Sequence, residues 1–133
     1  MTYEQRTALV GMHDLPLFER QTYKDFVDIM EMEVAAGGYT ITTTYGLANT
    51  LEAVRREPFG LYIVEINLGQ PKVPTSEPLQ QVLAAARVHH LEPKVIGISG
   101  RDETIAEART ISGVIVLPKP CLDLTKLIRS ISL

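Results

Sequence analysis

Four short apolar runs leave this chain few folds to adopt. Thr7–Met12 and residues 60–66, 94–99 and 113–117 are nearly continuous in Val, Ile, Leu and small residues, and stretches with helical spacing separate them. A strand with one wet face alternates between apolar and polar residues. A run that does not alternate is covered on both faces, as in a parallel sheet with helices above and below. The exception is residues 39–45, where Tyr39, Ile41, Thr43 and Tyr45 alternate with Thr40, Thr42 and Thr44, as expected of a partly wet strand at a sheet edge.

The helices are predicted from their stripes and stops. Tyr23, Phe26, Val27, Met30 and Val34 recur at helical spacing until Gly37 and Gly38, with Asp14 as the expected cap and Pro16 near the first turn. Leu47, Leu51 and Val54 define a second helix that ends in Arg55 and Arg56 before Pro58. After a loop containing Gly69, Pro71 and Pro74, Thr75 or Ser76 is placed to cap a third helix carrying Leu79, Val82, Leu83 and Ala86. Ile105, Ala108 and Ile111 mark a fourth, less regular helix, and Leu124, Leu127, Ile128 and Ile131 a fifth. Strand and helix alternate throughout, without repeat or linker. The expectation is therefore one α/β domain over residues 1–133, a three-layer flavodoxin-like (βα)5 sandwich with sheet order 2-1-3-4-5.

Composition narrows the function. With 133 residues and 45% apolar content the chain can bury a core unaided, and a single cysteine, Cys121, rules out an internal disulfide and a cysteine-based zinc cluster. Thirteen basic against sixteen acidic residues give a net charge of −3, which argues against a broad grip on nucleic acid or anionic lipid. No apolar run approaches the roughly 20 residues of a membrane span, and the first residues lead directly into a strand. The chain reads as complete and cytoplasmic, with no output domain for DNA binding.

In such a sheet the chemistry collects at the carboxyl ends of the strands, here His13 with Asp14, Glu65 with Asn67, Ser99 with Gly100, and Lys119 with Pro120. At these residues, and in the segments LYIVEINL, KVIGISG and VLPKP, the sequence resembles the receiver domains of two-component response regulators. The resemblance runs from Leu9 to Ile131. It implies a pair of acids after the first strand for magnesium, an aspartate phosphoacceptor ending the third, a Thr or Ser ending the fourth, and a Lys-Pro after the fifth. It also implies a main-chain carbonyl for the metal at Asn67, which any residue type could supply.

The chain departs from that pattern where phosphorylation would occur. Glu65 stands at the phosphoacceptor position, one methylene longer than aspartate, and a misplacement of about 1 Å can cost roughly a hundredfold in a group-transfer reaction. His13 replaces the first acid, leaving Asp14, Glu65 and Asn67 as a weak magnesium set at best, because magnesium favours octahedral oxygen ligands over imidazole. Val116 takes the place of the switch aromatic, three residues before Lys119. The expectation is a phosphorylation-independent pseudo-receiver without enzymatic activity or cofactor. It would bind a signalling protein such as a histidine kinase, regulator or scaffold through the face of the fourth helix, fifth strand and fifth helix. A homodimer through that face stays open.

Other readings stand beside this one. Glu65 near Lys119 is either a built-in imitation of the phosphorylated state, a structural ion pair, or a remnant of phosphate chemistry. Ser99 is expected to hydrogen-bond Glu65 if the longer side chain reaches. His13 is expected to be a solvated loop histidine more than a pH sensor, Asp14 a cap more than a ligand, His89 and His90 favourable charges at a helix end, and Cys121 a packing residue. The alternatives in function are a weak but genuine phosphoacceptor and a small nucleotide or flavin binder. The latter lacks a glycine-rich loop, since MHDLP follows the first strand.

Overall fold

β1 (Thr7–Met12) is buried at all six residues, as its unbroken apolar run requires. In the computed structural model, which describes residues 6–14, 20–68, 75–119 and 124–131, it pairs with β2 (Thr40–Tyr45) on one side and β3 (Leu61–Glu65) on the other. β4 (Val95–Ser99) and β5 (Val114–Pro118) extend the sheet, all pairings are parallel, and the order is β2-β1-β3-β4-β5. This is the flavodoxin-like (βα)5 arrangement. The helices are α1 (Gln21–Ala36), α2 (Leu47–Arg56), α3 (Glu77–Ala86), α4 (Asp102–Ala108) and α5 (Leu124–Ile131).

The period-two geometry of the central strands sorts the core into two layers. Leu9, Tyr62, Val64 and Val95 face one side, where Leu51 and Val54 of α2, Leu79, Val82 and Leu83 of α3 and Ala108 of α4 cover them. Ala8, Val10, Met12, Ile63, Ile96 and Ile98 face the other, under Val27, Met30 and Val34 of α1 and Leu124 and Ile128 of α5. Fully burying such side chains contributes roughly 1.5–3 kcal/mol each. Gly97 is needed on the first face, because a Cβ there would lie 3.0 Å from Ile66 and 3.2 Å from Leu79.

Three expectations about helix ends change, two at N-termini and one at a C-terminus. α1 begins at Gln21 with Arg20 at its N-cap, seven residues after Asp14, so Asp14 does not cap it. The helical bonds open on the Arg20 carbonyl, which accepts from Lys24 N–H at 3.0 Å, out of reach for a cap so far back along the chain. Pro16 lies outside the described residues. Ser76 is the N-cap residue of α3 but makes no side-chain cap bond. Its hydroxyl and its N–H both go to the Glu107 carboxylate, the N–H at 3.1 Å, while Thr75 Oγ1 accepts from Glu77 N–H at 3.2 Å. α3 also stops at Ala86, before the two histidines. His89 Nε2 lies 2.9 Å from the Val54 carbonyl and His90 Nε2 3.2 Å from the Tyr62 hydroxyl, so both tie the following turn to the core. Pro120, Cys121 and the loop of residues 69–74 lie outside the described residues.

Candidate functional site

β3 ends on Glu65, whose side chain points to the α1–α5 side, where alternation also sends Ile63. It is 1% exposed. A carboxylate this buried needs partners for its lone pairs, and three arrive from three elements. Lys119, just after β5, brings its ammonium against Oε1. His13, just after β1, donates its main-chain N–H to Oε2 at 2.6 Å. Tyr23, in the first turns of α1, donates its hydroxyl to the same Oε2 and receives the His13 N–H at 2.7 Å.

The surroundings tighten this cluster. The Lys119 ammonium stands 4.9 Å from the centre of the Phe26 ring and 5.6 Å from that of Tyr23, so two aromatic faces on α1 complete its coordination. Burial, with the negative charge of Glu65 next, pushes the Tyr23 hydroxyl far above the ordinary phenol range, which keeps it protonated as a donor. His13 is buried, against the expectation of a solvated loop residue. Its Nε2 is 3.4 Å from Glu65 Oε1, and its Nδ1 is buried with no hydrogen-bond partner. Desolvation holds its pKa below 6.5, outweighing the opposing pull of Glu65, so the ring is neutral at pH 7 and Lys119 supplies the countercharge.

Of the residues singled out in the sequence, Glu65, Lys119 and His13 converge. Ser99 ends β4 and is buried, but its hydroxyl accepts the Arg101 N–H at 3.1 Å instead of bonding Glu65. The turn into α4 claims it first. Asp14 is half-buried beyond His13, and a Cβ on Gly46 would lie 3.6 Å from its Cβ. Asn67 is buried in the turn after β3. Val116 is half-buried and packs on the opposite side of the sheet, against the cluster under α2, α3 and α4. Among the described residues no group of three His, Cys, Asp or Glu side chains is arranged to hold a metal ion.

Tyr23 is the site residue that sequence reasoning missed. It lies on the apolar stripe of α1 and reads there as core. The available signal was that a buried tyrosine needs a partner for its hydroxyl, and the nearest strand ends toward α1 offer the Glu65 carboxylate.

The chain has the receiver-domain fold of CheY-like response regulators, matched by several solved structures at low sequence identity. A response regulator receiver protein from Sinorhizobium medicae superposes with a TM-score of 0.65 at 18% identity, over 96% of this chain and 97% of that one. The chemotaxis response regulator CheY4 of Vibrio cholerae gives 0.62 at 15% identity, over 96% and 99%. A CheY-like receiver domain protein from Methanospirillum hungatei gives 0.60 at 18%, over 94% and 90%. No protein-family profile matches the chain, and no curated protein matches it by sequence.

Proposed function

We propose that this chain is a pseudo-receiver, a protein-interaction module of two-component signalling that works without being phosphorylated. One observation carries the reading: the carboxylate at the phosphoacceptor-equivalent position is already held on both oxygens by three of the chain's own donors. Glu65 is held by Lys119, Tyr23 and the His13 N–H. For an incoming phosphoryl group, the attacking oxygen would first have to give up either the Lys119 ammonium or the Tyr23 and His13 donors, a cost set by the hydrogen bonds lost. The donor set also fits magnesium poorly. Its one central carboxylate is spoken for, imidazole stands where an oxygen ligand is wanted, and Asp14 is the remaining acid.

Glu65 in this role supplies a fixed charge of −1 where a phosphate would bring about −1.5 to −2. Partner binding is assigned to the face of α4, β5 and α5. β5 is an outer strand of the sheet, and Ile115 on it is 37% exposed. The partner is a signalling protein such as a histidine kinase, a regulator or a scaffold.

Addition of beryllofluoride with magnesium, followed by amide NMR, tests the reading. The spectrum is expected to stay unchanged, and widespread shifts centred on Glu65 and Ser99 would overturn it. Phosphotransfer from a cognate histidine kinase that is lost in Glu65→Gln would establish a working phosphoacceptor instead. Mimicry has its own test: if Glu65→Gln and Glu65→Asp both bind the partner as the parent does, the glutamate is a structural residue and not a signal.

A further inference from the structure

α1 buries Val27, Met30 and Val34, and its opposite side carries a stripe that a lone surface helix has no use for. Asp25, Ile29, Met32 and Ala36 recur at i, i+4, i+7 and i+11, so they share one exposed line. Ile29 is 56% exposed and Met32 70%. Asp25 begins the line as an exposed carboxylate, with the Gln21 amide 2.9 Å from one oxygen. At the other end α5 lies alongside. The Arg129 guanidinium donates to the Ala36 carbonyl at 3.0 Å, and Lys126 lines the same shallow groove as Glu33, Thr125 and Arg129. The line thus passes from Asp25, across two large apolar side chains flanked by Asp28, to Lys126 and Arg129 with Glu33 beside them.

We propose that a second copy of this chain docks on this face, with the two α1 helices antiparallel about a two-fold axis between Ile29 and Met32. Position 25 and position 36 each lie about 8 Å along the helix from that axis, at 1.5 Å per residue. The two-fold therefore sets Asp25 of one copy opposite Arg129 of the other, twice, with Ile29 and Met32 of both copies closing the middle. A parallel pairing would face acid with acid and cation with cation. The Asp25 and Arg129 ends meet only in the antiparallel sense, and that contact closes on two copies without leading to a filament. This selects a second copy as the occupant. The face is centred on α1 and shares only α5 with the one assigned to the signalling partner, and the inference does not rest on that reading.

A two-helix contact of this kind belongs to the small interfaces, under about 1,200 Å² in total, so the dimer is weak, with a Kd on the order of 100 µM. Sedimentation velocity of the full chain from about 10 µM to about 1 mM measures it. Met32→Glu is expected to weaken dimerisation at least about tenfold, as loss of a central contact does. Asp25→Arg alone and Arg129→Asp alone are each expected to weaken it, and the two together to restore it, the outcome a merely destabilised fold would not give. Circular dichroism melts of each variant check that the monomer is intact. A chain that stays monomeric at 1 mM overturns the proposal, as does a dimer indifferent to Met32→Glu or a charge swap without restoration.

Discussion

Around Glu65 the smallest groups decide the behaviour. The Tyr23 hydroxyl serves the carboxylate on one side and the His13 N–H on the other. Tyr23→Phe keeps the ring and removes both roles, so urea unfolding is expected to report a loss of about 1–2 kcal/mol, the range for a hydrogen bond to a charged group net of relaxation. His13 gives the site a pH dependence. Burial lowers its pKa below 6.5, so the unfolded chain takes up a proton that the folded chain resists. Its contribution to stability is complete above pH 6.5 and is lost as pH falls toward the lower folded value. Thermal melts should therefore decline from pH 7 to pH 5 and flatten in His13→Gln. The sequence made Glu65 and Lys119 legible, because they fall at the ends of two readable strands. It hid the burial of His13 and the part played by Tyr23, because both depend on how α1 leans over the strand ends, which spacing alone does not encode.

The elements were easier to read than their ends. Every strand falls within a residue or two of its predicted run. Burial on both faces leaves a strong signature in β1, β3 and β4, whereas β5, expected to be covered on both faces, is a half-exposed edge like β2 because no strand pairs beyond it. The Ser76 cap was misread because its side chain has a competing partner, and the Asp14 cap because α1 starts seven residues further on. Ser76 turns to Glu107, and Glu33 of α1 reaches across to the N–H and hydroxyl of Thr125 in the first turn of α5, the N–H at 2.9 Å. The junction between α1 and α5 is tight. At Gly37, whose φ of −76° suits any residue, an added Cβ would come 2.6 Å from Ile128 Cγ2. Relieving a flexible backbone by Gly→Ala is worth at most about 1 kcal/mol, whereas overpacking costs about 1–3 kcal/mol. Gly37→Ala is therefore expected to lower the melting temperature, and the combination with Ile128→Ala to lower it by less than the sum of the two single changes.

For the whole molecule, strand order followed from periodicity and handedness: one wet strand had to lie at an edge, and right-handed crossovers left little else. What the molecule does with that frame depends on the four groups at its upper end. His13→Asp together with Glu65→Asp returns a second acid and shortens the central one, which frees room for a cation. That double variant is expected to gain a magnesium-dependent response to beryllofluoride in its amide spectrum, where the parent is expected to give none. If it stays silent, the block lies elsewhere, with Tyr23 over the carboxylate as the next group to remove.

If the chain is the pseudo-receiver proposed above, the carboxylate held by Lys119, Tyr23 and His13 has a further consequence. A charge written into the gene has no turnover: no phosphatase erases it and no donor renews it. A molecule set in this way carries the same message from synthesis to degradation. The adjustable quantity is then how many copies exist and what they meet, so abundance takes over the work that occupancy does in a switch.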